Sequence, residues 1–328
     1  MGQGHGWEGA VLKLLRGKDF VLTVTGAEQV TEHYRRIHLT DGGMLAATGV
    51  HPTMWVRLWF DAAGKPHQRA YTLVDPDPAA GTFSLEFALH DGHASDWARA
   101  AKPGDTIEAT VHGTAFTDPD PAPSHILAIG DPASLPAINS LLDALPSAPA
   151  TIWFETSTDM ETETDVETET DVAGTDPTAS GEEVQASGEE VQASAEEVEA
   201  GTDIGTTPKA GAEGRAESPA EAEHQADART RRRAEAHHQD LAQAPGAGGL
   251  PLRLDPTRHD FRPVPRRDAG ARLLTQVRTD APALLENTPN PYVWIACDTA
   301  TTRSLTAYFR KELGLPKQRM HALGYWRP

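Results

Sequence analysis

Arg69, Tyr71 and Thr72 bring three kinds of chemistry together within four positions of the stretch HQRAYTLVDPDP. On an extended strand Arg69 and Tyr71 project to one face, and Ala70 and Thr72 to the other. A flat ligand lying across the end of such a strand meets a fork of N–H donors, an aromatic ring and a hydroxyl. A flavin nucleotide has the matching parts: phosphates for the guanidinium, a ring to stack on tyrosine, and ring nitrogens that pair with threonine. A plain strand with an exposed arginine and a half-buried tyrosine carries the same letters, so both readings stay open on this motif alone.

Two glycine turns have the form of ligand loops. His90 precedes Gly92–Ser95, a tight turn expected to run into a helix over 95–101, with Ser95 or Asp96 as its cap and Pro103-Gly104 as its stop. Free backbone N–H groups and the positive end of the helix dipole suit a pyrophosphate there. Gly130–Pro136, GDPASLP, joins an apolar strand to a helix; its glycine lets the backbone approach a ligand and Pro136 favours an early helical position. An ordinary strand-to-helix turn looks the same.

These side chains need two kinds of scaffold. Segments FVLTVTGAEQV, YRRIHLT, MWVRLWF, RAYTLVD, TFSLEFALHD and DTIEATVHG are short, rich in β-branched and aromatic residues, and separated by Gly, Pro and Asp turns. They predict a six-stranded antiparallel β barrel over 19–122, behind an N-terminal tail over 1–18. From His125 the pattern changes to strand and helix: HILAIG, then a helix with Leu135, Ile138, Leu141, Leu142 and Leu145 on one face, then ATIWFE, AGARLLTQVRTD, YVWIACD and TTRSLTAYFRKELGL. The expectation is a Rossmann-like α/β domain with a parallel sheet over 123–155 and 250–328, taking ligands at the carboxyl ends of its strands.

The two parts of the α/β domain are separated by a segment of different character. Residues 155–240 hold 24 acidic and 6 basic side chains, against a formal charge of −19 for the whole 328-residue chain. This segment contains the tandem copies ETETDVETETDV (Glu161–Val172) and SGEEVQASGEEVQASAEEVEA (Ser180–Ala200). Each seven-residue copy offers one valine and one alanine beside adjacent glutamates, too little apolar surface for a coiled coil. The segment 156–249 is therefore expected to be a disordered insertion within one domain. No apolar run approaches the ~20 residues of a membrane span, no secretory signal precedes the first strand, and Cys297 is the sole cysteine, so a soluble cytoplasmic monomer is expected. No P-loop, paired CxxC or metal-ligand cluster stands out. Arg231–Arg233 is an isolated basic run that does not amount to a nucleic-acid surface.

Taken in order, RAYTL, LEFALHDGHASDWARAAKPGDTI, ILAIGDPASLPAINSLL, YVWIACDTATTRSLTAYFRKELGL and the closing GYWRP resemble the siderophore-interacting proteins, a branch of the ferredoxin-NADP reductase-like flavoproteins. The resemblance covers nearly everything outside the acidic segment. It implies an FAD-binding barrel, a nicotinamide-nucleotide domain, and an NAD(P)H-dependent enzyme that reduces ferric siderophores. By position it implies that Arg69, Tyr71 and Thr72 hold the flavin phosphate and ring. His90, Gly92, Ala94 and Ser95 would lie against the rest of FAD, and Gly130, Asp131 and Asp298 would serve the NADPH or NADH side. Arg57 aligns with a lysine common in relatives, and with Lys65, Arg319 and Arg327 forms the candidate basic mouth for an anionic ferric siderophore. The chain departs from the family at His93, where relatives tend to carry proline, and at Cys297-Asp298, where they carry Gly-Glu. Cys297 reads as a small buried residue rather than a redox thiol. Glu155 at a strand end suits an unphosphorylated ribose, whereas Arg266 and Arg267 suit a 2′-phosphate. No acid–base residue or nucleophile is assigned.

Overall fold

The computed structural model of the chain describes residues 17–62, 65–156 and 248–327. The first scaffold is one antiparallel sheet of seven strands: β1 (Lys18–Thr31), β2 (Tyr34–Thr40), β3 (Trp55–Ala62), β4 (Lys65–Thr72), β5 (Val74–Asp77), β6 (Thr82–Ala88) and β7 (Thr106–Val111). Their order is β4-β3-β7-β1-β2-β6-β5. Alternation sends Val56, Leu58 and Phe60 of β3 into the same interior as Leu22 and Val24 of β1, Ile37 and Leu39 of β2, and Phe83, Leu85 and Phe87 of β6. One core lined from both ends of the strand order requires the sheet to curl. Two short helices, α1 (Met44–Thr48) and α2 (His93–Ala100), complete this part. The expected six strands are present; the seventh, β5, is the piece that VDPD concealed behind its proline.

The second scaffold is a five-stranded parallel sheet in the order β10-β9-β8-β11-β12, formed by β8 (His125–Gly130), β9 (Ala150–Thr156), β10 (His259–Pro265), β11 (Pro291–Ala296) and β12 (Met320–Ala322). Its strands alternate between two covered faces, as a parallel sheet requires. Ile126, Ala128, Ile152 and Trp294 pack with α3 (Leu135–Ala144) on one side. Leu127, Ile129, Trp153 and Ile295 pack with α4 (Ala271–Glu286) and α5 (Thr299–Ala307) on the other. At Gly130 a Cβ would stand 2.4 Å from Ser134 Oγ and 2.6 Å from Ile138 Cδ1, so this glycine lets α3 close onto β8. The sequence had suggested ligand approach as its purpose.

Thr156 is the last residue of β9, and Gly248 and Gly249 form a described turn. The segment read as a disordered insertion and most of the N-terminal tail otherwise lie outside the described residues. No helix among the described residues is long and apolar enough to cross a membrane.

Candidate functional site

Strand ends of the parallel sheet converge on one carboxyl edge. Asp131 follows β8, Glu155 is the penultimate residue of β9, Arg266 follows β10, and Asp298 lies two residues past β11. The C-terminal stretch continues the sheet over them: Leu323 N–H donates to the Ile295 carbonyl at 2.9 Å, Tyr325 N–H to Cys297 at 2.8 Å, and Thr299 N–H to Trp326 at 2.9 Å.

This lays Trp326 across the edge. Its indole N–H donates to Asp131 Oδ2 at 2.7 Å, while Asp131 Oδ1 accepts from the Ala133 and Ser134 amides at 2.9 and 3.2 Å. The Arg266 guanidinium stacks over the Trp326 ring, 4.8 Å from its centroid. It also donates to Glu155 Oε2 and comes within 3.8 Å of Asp298 Oδ2. Asp298 caps α5, accepting from the Ala300 and Thr301 amides at 2.9 and 3.0 Å and from the Thr301 hydroxyl at 2.7 Å. Asp131, Glu155 and Asp298 are thus buried carboxylates, of which Glu155 and Asp298 share the Arg266 guanidinium and Asp131 is held by Trp326. Burial disfavours the charged forms of Asp131 and Glu155. It lifts Asp131 to about 6 against the pull of the Trp326, Ser134 and Ala133 donors. It lifts Glu155 to about 6 as well, against Arg266 and with help from Asp131 and Asp298. Cys297 is fully buried and its thiol is pushed up by that burial, which suits a packing role.

On the other scaffold, β4 presents its side chains as alternation requires. Tyr71, Arg69 and His67 lie opposite Val56, Leu58 and Phe60, whereas Thr72, Ala70 and Gln68 lie opposite Trp55, Arg57 and Trp59. The Tyr71 ring packs on Phe87 with centroids 4.3 Å apart and edge-on to Phe60 at 6.4 Å; burial raises its phenol. Arg69 is exposed and gives one N–H to the neighbouring Gln68 carbonyl at 2.8 Å. The ring of His67 lies 5.9 Å from that of His93, which opens α2, so β4 and the start of this helix are neighbours. The helix begins two residues earlier than expected. Gly92, at φ 140°, is its N-cap and offers the first turn no side chain. Ser95, expected as the cap, is buried inside the helix and its Oγ accepts from the His90 amide at 3.1 Å. An exposed guanidinium beside an uncapped helix start is a donor set that fits a phosphate-bearing cofactor.

The two scaffolds meet at the motif residues themselves: the Thr72 side chain lies beside the Tyr325 phenol and pulls its pKa down against the larger lift of burial. Further along, Thr53 N–H donates to Ser140 Oγ at 2.8 Å. Arg253 holds Asp75 at 2.5 and 2.7 Å and Asp143 at 3.1 Å.

The proposed basic mouth is brought together only in part. Arg57 stands on the Thr72 side of the sheet, its guanidinium 4.6 Å from the Trp55 ring centroid. Lys65 opens β4, and Arg327 is exposed beside Trp326. Arg319 is elsewhere. It is buried and donates to the carbonyls of Pro291, Asn290 and Pro121 at 2.9, 2.9 and 2.6 Å, fastening backbone at the amino ends of the strands, opposite the carboxyl edge. Sequence reasoning gave Tyr325 and Trp326 no role beyond the resemblance; two large aromatics in a short tail were the available signal.

Comparison with known proteins agrees with this geometry. Residues 27–113 match the siderophore-interacting FAD-binding domain and residues 123–328 the siderophore-interacting protein family. The mycobactin import ATP-binding/permease protein IrtA of Mycolicibacterium thermoresistibile is 36% identical over 165 residues, 47% of this chain and 18% of that protein. Its counterpart in Mycobacterium tuberculosis is 33% identical over 163 residues, 47% of this chain and 19% of that protein, so the match spans less than a fifth of either relative. Among solved structures, the siderophore-interacting protein from Acinetobacter baumannii has a TM-score of 0.59 at 16% identity, covering 94% of this chain and 91% of that one. SipS from Aeromonas hydrophila has a TM-score of 0.56 at 18% identity, covering 95% and 92%. Ferredoxin-NADP+ reductase from Plasmodium falciparum has a TM-score of 0.53 at 10% identity, covering 94% and 97%. With both scaffolds matched and the fold of a ferredoxin-NADP+ reductase, the chain belongs to the siderophore-interacting protein family.

Proposed function

We propose that this chain is an FAD-dependent reductase that takes electrons from NADH or NADPH and delivers them to iron(III) held by a siderophore. The observation that carries this reading is the pair of adjacent aromatics at the C-terminus. The Tyr325 phenol lies beside the Thr72 side chain of the RAYT strand while Trp326 donates to Asp131 at the carboxyl edge, so one dipeptide spans the expected flavin side and the expected nucleotide crevice.

In this reading Arg69 and the turn at His90, Gly92, Ala94 and Ser95 hold the FAD phosphates, and Tyr71 and Thr72 orient its ring. Gly130, Asp131 and Asp298 border the coenzyme crevice. A bound flavin supplies the conversion that nicotinamide lacks, accepting an electron pair with hydride and releasing electrons singly. The chain's own residues bind and align: the buried acids are fixed by caps and by Trp326, and the tail keeps water from the edge they form. Hard oxygen donors grip Fe(III) and hold Fe(II) far more weakly, so reduction is release. Arg57, Lys65 and Arg327 are the cations proposed to face an anionic chelate.

The test is anaerobic mixing of purified, FAD-supplemented protein with NADH or NADPH, a ferric siderophore and a chromogenic Fe(II) chelator. Bleaching of the flavin band followed by Fe(II) colour is the expected result. Bleaching without Fe(II) moves the acceptor to another electron carrier, the reading favoured by the likeness of fold to ferredoxin-NADP+ reductase. A protein that takes up no FAD overturns the flavoenzyme reading altogether.

A further inference from the structure

We infer that His67 and His93 are cationic ligands of the FAD diphosphate, so that the chain's affinity for FAD rises as pH falls through the histidine range. The inference rests on the flavoprotein reading above and on the place where β4 meets the start of α2.

Core packing brings the two rings together. Phe60 of β3 and His67 of β4 are cross-strand partners. Trp97 of α2 packs edge-on against Phe60, with ring centroids 5.9 Å apart, and meets Phe87 of β6 at 5.7 Å. His93 precedes Trp97 by four residues, so it occupies the same face of the helix one turn nearer its start. Seating Trp97 on Phe60 therefore sets His93 beside His67, with ring centroids 5.9 Å apart and planes 31° apart. Ala94 and Ala98 are buried beneath the helix and fix it there.

Both histidines are exposed, and among the described residues neither ring makes a hydrogen bond. His90 differs, since its Nδ1 already faces the Asp91 carbonyl at 2.7 Å. Arg69 stands two residues from His67 on the same face of β4, and Lys65 opens that strand. The acids of the surrounding elements are turned away or engaged. Asp61 follows Phe60 on β3, so alternation sends it to the opposite face of the sheet. Asp96 is paired with Arg99 at 3.1 Å, and Arg99 also donates to the His90 carbonyl. Glu86 of β6 is held by Arg36 and Tyr34, and His38 of β2 by Ser84. Asp91, in the turn before the helix, is the remaining acid nearby.

A protonated imidazole donates from both ring nitrogens and carries a charge, whereas a neutral one keeps a single donor and no charge. Bonds from a charged donor to phosphate are roughly twice as strong as neutral ones. The two phosphates of a diphosphate diester stay ionised across the histidine range, so the pH dependence comes from the protein. Binding takes up protons wherever the histidines start neutral; affinity is therefore highest where both are protonated and declines as pH rises. Asp131 and Glu155, at about 6, titrate in the same window, but they lie on the parallel sheet, and substitution of the histidines separates the two sources.

The experiment is titration of FAD into the purified full chain from about pH 5.5 to about pH 8 at fixed salt, followed by flavin fluorescence, with circular dichroism at both ends as a check on folding. Riboflavin, which has no phosphate, is the reference ligand. FAD is expected to bind roughly tenfold or more tightly at the acidic end, while riboflavin binds alike at both. The double variant His67→Gln, His93→Gln should flatten the FAD profile at its weak, alkaline level. The double variant His67→Lys, His93→Lys keeps its charge throughout and should flatten the profile at the tight level, which a merely structural role for the two rings would not do. If the glutamine variant binds FAD too weakly to follow, the lysine variant decides, and a slope that survives permanent charge overturns the inference. A flat profile in the unmodified chain, or a slope retained in the glutamine variant, likewise overturns it and leaves the flavin site standing. No uptake of FAD at any pH removes the flavoprotein reading and the inference with it.

Discussion

Trp326 donates its indole N–H to Asp131 Oδ2 across 2.7 Å, so the C-terminal stretch is fastened to the loop that follows the first strand of the parallel sheet. Trp326→Phe keeps a ring beneath Arg266 and deletes the donor. The buried oxygen left behind should lower stability by roughly 1–3 kcal/mol in urea unfolding. The loss should also depend on pH. Asp131 and Glu155 sit at about 6 in the folded chain, above the ordinary carboxylate range, so they retain protons that the unfolded chain has released. Their contribution is complete at pH below that range and is lost as pH rises through about 6. Trp326 favours the ionised form of Asp131, so the gap between wild type and Trp326→Phe should widen from about pH 5 to about pH 7.5. An equal gap at both would take Asp131 out of this linkage.

Arg69→Ala tests the flavin side. Its guanidinium is exposed and bonded to the adjacent Gln68 carbonyl, so the substitution should leave folding intact. Loss of a charge-assisted phosphate contact should weaken FAD by roughly 1.5–3 kcal/mol, about tenfold or more in Kd. Fluorescence titration of FAD measures it, and an unchanged Kd would place the phosphates elsewhere.

Two deletions should behave oppositely. Replacing residues 157–247 with a short linker should change stability little, since closure entropy varies only with the logarithm of loop length. Extending the cut through residue 254 removes Leu250, Leu252 and Leu254, all buried against the α3 side of the sheet. It also removes Pro251 and Arg253, whose carbonyl and amide the Asn139 side chain holds at 2.8 Å each. Each buried leucine contributes roughly 2–5 kcal/mol, so the longer deletion should not fold. Urea unfolding compares them, and a failure of the shorter deletion to fold would show that the acidic segment supports the domain.

Arg57→Glu separates substrate from cofactor. Reversing charge beside Trp55 should raise KM for an anionic ferric siderophore by about 1–2 kcal/mol equivalent, less at high salt, while NAD(P)H still reduces the flavin at its usual rate. Stopped-flow absorbance resolves the two half-reactions. Loss of both would make Arg57 a structural or flavin residue.

Much of the fold was legible where burial has a period. Val56, Leu58 and Phe60 alternate because one face of β3 is core, and Leu135, Ile138, Leu141 and Leu142 recur because α3 lays one stripe on the sheet. β10 was not legible: HDFRPVP carries two prolines and charged residues, and an edge strand tolerates prolines that an inner strand would not. AGARLLTQVRTD reads as a helix ending at Asp280, yet the helix runs on through Pro282 to Glu286, with Leu273, Val277 and Ala281 keeping its buried stripe in phase. The RAYT residues announced themselves by type. The edge built by Asp131, Glu155, Arg266 and Trp326 did not, because residues almost 200 positions apart meet there through sheet order. Arg319 read as part of the basic mouth because composition does not reveal three backbone carbonyls waiting for its fork.

β9 and β10 are parallel neighbours, so the chain between them departs at Thr156 from the carboxyl edge and comes back at His259 to the amino edge. Every parallel pair needs a crossover of a dozen residues or more, with no upper length that the sheet itself can sense. The copies of SGEEVQA lie within that crossover. Slippage during DNA replication that adds or drops a whole copy therefore changes the gene while leaving Glu155 on one side and Arg266 on the other in register. A chain with one copy more or fewer at this place should keep both strands in register, a change closed to the barrel hairpins, where one residue too many turns a strand inside out.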